Sequence, residues 1–428
     1  MRIATAVRGP LVIPRDDGVV EYHKDGLLVG DHDGVLLYAG PADGFDWPPD
    51  SPSPRRAAGV MLPPLLDIHT HVPQHPIRGR FIEGVPDDAP QGKLLAGLHR
   101  NVFPAELRCV DESYAIAVVD AFVADTLSHG VVGGASYMTT SPLAARVALE
   151  RMPDAWSVGL VLMNQNCPPE IHTDDERVDD MLIELADRFG SRVIVTDRFA
   201  VAVDSALRRR QSALAARLGL RTQTHLNEQP HEKRFIEEEL YPDHDSYTHV
   251  YHQDGLLDHR CIVAHCIYMH GHEWQLLAET GSVIAHCPTS NALLGSGRMD
   301  LDEVKRRGLP YALATDVGAS PTVSMLAEMR RFLQVHDGFS SWATACEALV
   351  RSTVAPAALL DLRPRLGELT PGRPMSFIEV EPLRPAAGAT AEHAVRSLLP
   401  DDPDRPETNV RRVTLRGETV SLRATDDA

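Results

Sequence analysis

Short apolar runs rich in β-branched residues recur through the middle of the chain and predict buried β-strands. Between most of them lie stretches of helical periodicity, such as residues 111–129, in which Ile116, Val119, Val123 and Leu127 share one face. The strand-like runs are PLLDIHTHV, GVVGGASYM, WSVGLVLM, SRVIVTDRF, RTQTHLNE, CIVAHCI, SVIAHCPTS and YALATDVG. Eight strands alternating with helices predict an α/β fold, a (β/α)8 barrel of the TIM type. A doubly wound open sheet is the competing arrangement, although no Gly-x-Gly-x-x-Gly motif follows the early strands.

The dipeptide Ser320-Pro321 predicts the start of one late helix. Serine is a favourable N-cap, and proline fits the first helical position because that position needs no N–H donor. We therefore expect a helix to begin at Pro321.

The two ends of the chain have a different pattern of apolar and turn-forming residues from the middle. The first sixty residues contain apolar pieces punctuated by Asp-Gly, as in DDGVV and DGLLVGDHDGVLLYAG, which predict short antiparallel strands joined by hairpin turns. The same pattern of short strand-like segments occurs near the carboxyl terminus, in MSFIEVEP and NVRRVTLRGETVSL. We expect residues 1–60 and 367–428 to build one small β-sandwich domain, and residues 61–366 to form the barrel.

Length, charge and cysteine usage narrow the classes of function. The 428 residues suffice for a large domain and a small one, and 42 basic against 60 acidic residues give a net charge of −18. This charge disfavours nucleic acid or an anionic membrane as a partner, but not a small ligand in a local pocket.

No apolar run approaches the ~18 residues of a spanning helix, and the amino-terminal stretch, broken by Arg8, Pro10 and Pro14, is not typical of a signal peptide. The six cysteines form no CxxC motif, so we expect free thiols in a cytoplasmic protein.

Two His-x-His motifs are candidates for metal ligation, and their frequency alone is uninformative. With 20 histidines, chance supplies roughly one such motif, and the sequence has one at His69 and His71 and another at His270 and His272. The first pair closes a predicted strand, where a period of two places both side chains on one face. The second pair precedes a helical stretch and is expected at the surface.

Further metal-binding residue types fall near the ends of other predicted barrel strands. His225 closes the fifth strand, His265 lies late in the sixth, and Asp316 ends the eighth. Because the carboxyl ends of barrel strands form the active-site face, three imidazoles and a carboxylate there suit a mononuclear zinc-type site, although the same ligands suit iron. His265 could instead orient a water molecule or be a core histidine, and Asp316 could cap the next helix.

Glu228 is a candidate for proton transfer. It stands three residues beyond His225, at the start of the following loop. A bound metal lowers the pKa of water to about 7, and a nearby carboxylate that is not a ligand can then move protons. No lysine in the strand-end runs is available to bridge a second ion as a carbamate, so one metal per chain is expected.

The order His-x-His, His, His, Asp along eight strands, between two β-rich ends, resembles the amidohydrolase superfamily. Within it the chain is most similar to the guanine deaminase family, whose motifs are matched by HTHVPQ, VFPAE, DRF, HLNE and ELYPDHDSYTHVYHQDGLL. The resemblance covers essentially the whole chain. It implies a metal-bearing barrel with a small β-sandwich domain, zinc-dependent conversion of guanine and water to xanthine and ammonia in purine catabolism, and a homodimer.

The resemblance also implies roles for individual residues in catalysis. The family's zinc ligands fall on His69, His71, His225 and Asp316. Its proton-shuttling glutamate falls on Glu228 and its water-orienting histidine on His265, so that Asp316 and His265 hold the attacking water while Glu228 protonates the substrate.

The family's guanine contacts fall on Gln74, Arg198 and Phe199. These residue types fit a purine, since an amide and a guanidinium can satisfy its carbonyl and ring nitrogens and a phenyl ring can cover its face. Arg198 could otherwise make a structural ion pair.

Several positions depart from the family's pattern. Gly97 stands where a tryptophan is expected, Asp197 replaces a proline, and Arg78, Arg80 and Lys93 add charge to a segment beside the predicted pocket. Gly97 and the basic loop around Arg78 and Arg80 favour, as an alternative, an aminohydrolase acting on 8-oxoguanine, a pterin or an s-triazine. A non-catalytic scaffold of this fold is a further alternative, but such relatives commonly lose metal ligands that this sequence retains.

Overall fold

The computed structural model of the protein describes residues 3–49 and 51–421. Residues 1, 2, 50 and 422–428, which the predicted end domain includes, lie outside that part. The β-strands are β1 Thr5–Pro14, β2 Val20–Gly30, β3 Leu36–Pro41, β4 Arg55–Arg56, β5 Val60–Leu62, β6 Leu65–His71, β7 Val131–Tyr137, β8 Trp156–Leu162, β9 Val193–Asp197, β10 Arg221–Leu226, β11 Cys261–His265, β12 Val283–His286, β13 Tyr311–Leu313, β14 Phe377–Val380, β15 Val410–Leu415 and β16 Glu418–Val420.

The helices fall mostly between the strands of the barrel. The α-helices are α1 Gly92–Gly97, α2 Phe103–Leu107, α3 Glu112–Ser128, α4 Pro142–Arg151, α5 Val178–Phe189, α6 Ser205–Leu218, α7 Pro230–Arg234, α8 Tyr247–Gln253, α9 Gly271–Thr280, α10 Pro288–Leu293, α11 Leu301–Arg306, α12 Met325–His336, α13 Ala345–Val350, α14 Val354–Leu359 and α15 Ala391–Leu398. Shorter 3-10 or π turns are Ala42–Gly44, Val72–Ile77, Leu98–Val102, Arg108–Val110, Pro169–Ile171, Gly190–Arg192 and Phe235–Leu240. Within the described residues, none of these helices combines the length and apolar character needed to cross a membrane.

Strands β6 to β13 form one eight-stranded sheet in which spatial neighbours follow chain order. The two ends of this sheet meet, because Asp316 N donates to His69 O at 2.8 Å and His71 N donates to Val317 O at 3.2 Å. Every residue of β6 and of β11 is buried, as expected for parallel strands covered by helices. All eight predicted runs are strands of this sheet, and the predicted (β/α)8 fold is confirmed.

A layer of buried polar side chains lies inside the barrel, two residues before His225 along β10. Gln223 precedes His225 by two residues in β10 and therefore shares its face. Its Nε2 donates to Thr196 Oγ1 at 2.9 Å and to Ser136 O at 3.0 Å. A Cβ at Gly159 would lie 2.0 Å from Thr196 Oγ1 and 2.4 Å from Gln223 Nε2, so this network requires glycine in β8.

A second sheet gathers the two ends of the chain. Its strand order is β16-β15-β14-β5-β1-β2-β3, with β4 paired to β1. Turns at Asp17-Gly18 and Asp33-Gly34 contain glycines with φ of 84° and 72° and lead from β1 to β2 and from β2 to β3, as predicted. Asp25-Gly26, a third Asp-Gly pair, lies inside β2. The predicted small β domain built from both ends is confirmed, with an antiparallel meander at its amino-terminal side.

Two compact units divide the described chain. The first contains the residues up to Asp67, Ala124–Val132 and the residues from Val323 onward, and the second contains Ile68–Val123 and Gly133–Thr322. The predicted domain limits at residues 60/61 and 366/367 stay a prediction.

The predicted helix start at Ser320-Pro321 is wrong. Helix α12 begins at Met325, and its N-cap is Ser324, whose hydroxyl accepts a hydrogen bond from Ala327 N. Ser320 still belongs to the turn after the barrel's last strand, where its backbone N–H donates to Asp316 O at 3.0 Å. The serine that caps is therefore the one four positions later.

Candidate active site and metal centre

Three histidines and one aspartate converge at the carboxyl ends of the barrel strands. His71 is the last residue of β6, His69 lies two residues before it on the same face, and His225 is the penultimate residue of β10. Asp316 follows β13 by three residues, so it lies in the loop and not at the strand end predicted from the sequence. One ligand atom from each of these four side chains can be chosen so that all lie within 4.8 Å of one another.

Two short contacts in this cluster join imidazole nitrogens to one carboxylate oxygen. Asp316 Oδ1 lies 3.1 Å from His71 Nε2 and 3.4 Å from His69 Nε2. His225 Nε2 lies 3.4 Å from His71 Nε2. Two imidazole nitrogens at that separation gain no favourable contact from each other unless a proton or a cation lies between them. The arrangement therefore fits a shared cation.

Burial fixes the protonation of these ligands. It lowers the pKa of His71 to about 3, although Asp316 opposes the shift, and it lowers the pKa of His69 and of His225 as well. Burial alone would raise the pKa of Asp316, but hydrogen bonds with His69 and His71 outweigh it and hold that pKa well below its ordinary value. Neutral imidazoles and an ionised carboxylate are the forms in which these side chains bind a metal. This donor set therefore fits one ion of the zinc type.

Several groups outside the cluster orient its members. His225 Nδ1 lies 2.6 Å from Arg198 O, which directs Nε2 towards the other ligands. Tyr247 and Tyr251 each donate a hydroxyl hydrogen bond to His225 O, at 3.1 and 2.9 Å. Ser290 Oγ donates to Asp316 Oδ2 at 2.5 Å, which leaves Oδ1 towards the histidines.

Two site residues occupy left-handed backbone, which side chains other than glycine rarely adopt. His265 has a φ of 74° and Asp316 a φ of 52°. Such conformations cost roughly 1–3 kcal/mol each and persist only where the surrounding structure imposes them. They turn both side chains towards the rim at the point where the strands end.

Glu228 and His265 lie beside the cluster. Glu228 Oε2 is 3.6 Å from His265 Nε2, while Ser296 Oγ donates to Glu228 Oε1 at 2.9 Å. On its other side, His265 Nδ1 lies 2.8 Å from Asn291 Oδ1. Burial raises the pKa of Glu228, and His265 offsets part of that rise. Burial would lower the pKa of His265, but Glu228, Asp316 and Asn291 outweigh it and raise that pKa.

A cavity opens beside these groups. It is lined by His71, Phe81, Leu94, Leu98, Arg198, Phe199, His225, Glu228, Glu232, His265, Leu294 and Asp316. Seven of these side chains are ionisable and five are apolar, a combination that suits a small ligand with both polar edges and apolar surface. Predicted substrate residues Arg198 and Phe199 line it, whereas Gln74 is fully buried next to Arg198's partner Glu106.

Glu106 is a site residue that the sequence reasoning missed. It is buried, and its Oε1 accepts from Arg198 Nη1 at 2.6 Å and from Gln74 Nε2 at 3.0 Å. The ion pair that the sequence left open for Arg198 therefore exists, and it lies inside the site. The motif VFPAE contained the signal, but no role was assigned to its glutamate.

Glu232 was missed as well. It lines the cavity, and its Oε2 accepts hydrogen bonds from the backbone N–H groups of Glu228 and Gln229, both at 3.1 Å. Tyr247 Oη lies 3.0 Å from its other oxygen. Burial and the nearby Glu228 raise the pKa of Glu232 to about 7. Through these bonds Glu232 fixes the start of the loop that carries Glu228.

The space at Gly97 is filled by Phe81. A Cβ at position 97 would lie 2.8 Å from Phe81 Cδ1 and 2.8 Å from Phe81 O, so a larger residue there would require the 81 segment to move. The aromatic ring that lines this side of the cavity is thus Phe81.

Asp197, another departure from the family's pattern, has a structural role. Its Oδ2 accepts from Arg208 Nε at 2.7 Å and its Oδ1 accepts from Thr224 Oγ1 at 3.1 Å. Arg208 is fully buried and also donates to Asp254 at 2.7 Å. Burial raises the pKa of Asp197 despite Arg208.

The second His-x-His motif lies at the surface, as predicted. His270 and His272 are exposed at the start of α9, where His270 N donates to Glu273 Oε2 at 2.8 Å.

Parallel barrel strands that bring a cluster of three histidines and one aspartate to one rim define a class of protein, the metal-binding (β/α)8 hydrolases. The chain belongs to the amidohydrolase family, whose sequence profile matches residues 60–420, and it is therefore a hydrolytic enzyme. This confirms the superfamily predicted from the sequence.

Individual relatives and solved structures are similar to this chain over most of its length. The chain is 30% identical over 376 residues to the guanine deaminase of Escherichia coli K12, which covers 85% of this chain and 82% of the relative. A solved structure of E. coli guanine deaminase superposes with a TM-score of 0.85 at 27% identity, over 98% of this chain and 99% of that one. Guanine deaminase from C. acetobutylicum with bound guanine has the same fold, with a TM-score of 0.85 at 20% identity over 97% and 100% of the two chains.

Proposed function

We propose that this protein is a zinc-dependent aminohydrolase that converts guanine and water to xanthine and ammonia. The observation that carries the proposal is the cluster of His69, His71, His225 and Asp316 beside Glu228, at the edge of a cavity suited to a planar heterocycle. The likeness to a curated guanine deaminase over most of both chains supports the choice of substrate.

His69, His71, His225 and Asp316 would hold one zinc ion per chain, although the same donors suit iron. A metal bound there activates water for attack at neutral pH. The protein's own residues must then place the substrate carbon next to that water and move two protons.

Glu228 moves the protons. Its carboxylate lies at the cavity wall, and Ser296 holds Oε1 so that Oε2 faces His265 and the reacting groups. Glu228 takes a proton from the attacking water and delivers it to the ring nitrogen beside the amine-bearing carbon. It then takes the second proton from the same oxygen, now bonded to the substrate carbon, and delivers it to the amine as the C–N bond breaks and ammonia leaves.

Asp316 and His265 orient the attacking water from two sides. Asp316 is kept ionised by its histidine partners and accepts a hydrogen bond from the water. His265, held through Nδ1 by Asn291, presents Nε2 towards the water and Glu228.

Arg198, Phe199 and Gln74 bind the heterocycle. Arg198 offers N–H donors to a carbonyl or ring nitrogen, and Phe199 provides an apolar face at the cavity wall. Gln74 presents its amide beside Arg198 through their common partner Glu106. We infer further that the protein acts as a cytoplasmic homodimer in purine catabolism.

Ammonia release by the purified, zinc-loaded protein tests the proposal. Guanine should release one ammonia per molecule and yield xanthine, with lower kcat/KM on 8-oxoguanine, a pterin and an s-triazine. A higher kcat/KM on one of those analogues would keep the mechanism and change the substrate. Release from none of them, together with less than one bound metal per chain after gentle purification, would favour a non-catalytic scaffold.

A further inference from the structure

One carboxylate oxygen joins two of the residues assigned to substrate binding. Glu106 Oε1 accepts from Gln74 Nε2 at 3.0 Å and from Arg198 Nη1 at 2.6 Å. All three residues are almost completely buried. Because both donors contact the same oxygen, the amide of Gln74 and the guanidinium of Arg198 lie side by side.

This contact decides which end of the Gln74 amide remains for a ligand. A carboxylate can only accept hydrogen bonds, so Gln74 must turn its NH₂ group towards Glu106 and its carbonyl oxygen away. Arg198 has five N–H donors and no acceptor, and one of its nitrogens is used by Glu106. The pair therefore offers a ligand an acceptor from Gln74 next to donors from Arg198.

The carbonyl oxygen of Gln74 has no hydrogen-bond partner among the described residues, although it is buried. The same holds, over those residues, for Glu106 Oε2. A buried acceptor without a donor is unfavourable, and a ligand N–H that reaches it removes that penalty. Gly318 leaves the space for the Gln74 oxygen, since a Cβ there would lie 2.0 Å from it. Over the part of the chain that the structure describes, neither oxygen has a donor, so a ligand N–H could supply one.

We propose that Glu106 is a positioning residue that fixes the hydrogen-bonding polarity of the substrate pocket, so that Gln74 can read only a ring N–H. The class of ligand selected is a heterocycle that places a ring N–H beside a carbonyl or unprotonated ring nitrogen, the edge of a cyclic amide. This inference deepens the proposed function and rests on it.

The test compares wild-type and Glu106→Gln enzyme, both zinc-loaded, on guanine and on 1-, 7- and 9-methylguanine. In the wild type, methylation of the ring nitrogen that faces Gln74 should lower kcat/KM by about 30-fold or more, because a buried acceptor loses its donor. In Glu106→Gln the amide of Gln74 is free to turn, so the loss at that nitrogen should shrink to about 5-fold or less. KM for guanine should rise about 10- to 100-fold in the variant, with a smaller change in kcat and unchanged zinc content.

Equal methylation losses in the two enzymes would overturn the proposal, because a simple clash with the methyl group affects both alike. Gln74→Met is the second variant, since it removes the amide but keeps the Glu106–Arg198 pair and the side-chain volume. If Glu106→Gln does not fold, retention of the wild-type methylation pattern by Gln74→Met overturns the proposal in the same way. Failure of wild-type enzyme to deaminate guanine at all would instead refute the proposed function.

Discussion

Ser296 donates a 2.9 Å hydrogen bond to Glu228 and thereby fixes one oxygen of the carboxylate that we assign to proton transfer. Ser296 Oγ is itself held by Gln229 Nε2 at 3.2 Å. The free oxygen of Glu228 is then restricted to the side that faces His265. Proton transfer depends on such orientation, because the donor must lie within hydrogen-bond reach of the atom it protonates.

Ser296→Ala should therefore lower kcat about 10-fold and leave KM and zinc content nearly unchanged. Glu228→Gln, which cannot carry the proton, should lower kcat by about 100-fold to 10,000-fold with zinc retained. Steady-state kinetics with metal analysis on the same samples would measure both. A Ser296→Ala enzyme with wild-type kcat would mean that the serine does not position Glu228.

The two His-x-His motifs provide a matched test of metal binding. His71→Ala removes one of four donors, so we expect bound zinc to fall well below one per chain and activity to fall about 1,000-fold or more. His272→Ala, in the exposed motif at the start of α9, should change neither quantity. Elemental analysis after gel filtration would measure the zinc content. Equal zinc in all three proteins would contradict the assigned ligand set.

Phe81 should contribute to substrate affinity because its ring lines the cavity. Phe81→Ala should raise KM about 10-fold through loss of apolar contact, while Phe81→Leu should preserve most of the affinity. Gly97→Trp should raise KM more than Phe81→Ala does, since even a Cβ at position 97 would lie 2.8 Å from Phe81. KM and product inhibition by xanthine would measure these effects. Wild-type KM in Phe81→Ala would show that the ring does not contact substrate.

The buried Arg208 should be a major determinant of stability. It donates to Asp197 and Asp254, both at 2.7 Å, and Arg208→Met would leave two buried carboxylates without this cation. We expect a loss of about 3–5 kcal/mol in the free energy of unfolding, measured by denaturant titration. Arg151→Met, which breaks an exposed pair with Asp120, is the control and should cost about 1 kcal/mol or less. Similar losses in the two variants would contradict this account.

Glu273 should make stability depend on pH. Burial alone would raise its pKa, but Lys233 and hydrogen bonds from His270 and Asn227 outweigh burial and lower the pKa below 4.5. A carboxyl with a lowered folded-state pKa stabilises the protein above its unfolded-state pKa, and that contribution is lost as pH falls through the folded-state value. Glu273→Gln should therefore cost about 3 kcal/mol at pH 7, and its difference from wild type should shrink below pH 4.5.

Unfolding titrations between pH 3 and 7 would measure this convergence. Asp25→Asn serves as control, because Asp25 pairs with Arg8 at the exposed surface and its removal should not change stability measurably. Parallel pH profiles for wild type and Glu273→Gln would refute the assignment.

The sequence predicted the barrel well because buried parallel strands are short apolar runs, and their ends could be read directly from it. Their position at a strand end distinguished His69 and His71, as candidate metal ligands, from His270 and His272. The predicted position of Asp316 was less accurate, because this residue lies three residues beyond the end of β13. Ser320 was mistaken for a helix cap, because the sequence does not show how far the turn after β13 extends.

The residues that support the site could not be predicted in the same way. Ser296 and Phe81 come from loops, and they reach Glu228 and Gly97 only through the tertiary fold. Glu106 lay in a quoted motif, but its role appears only when Gln74 and Arg198 are seen to share one of its oxygens. Such pairings have no fixed spacing, so a single sequence gives no pattern that indicates them.

The left-handed backbone at His265 and Asp316 links the activity of the enzyme to the integrity of its barrel. Glycine would occupy these positions with less strain, but it has no imidazole or carboxylate to offer. If the neighbouring strands loosen, we expect this strain to relax and both side chains to leave their positions in the site. On gradual heating, turnover should consequently disappear while most of the helical and strand content is still intact.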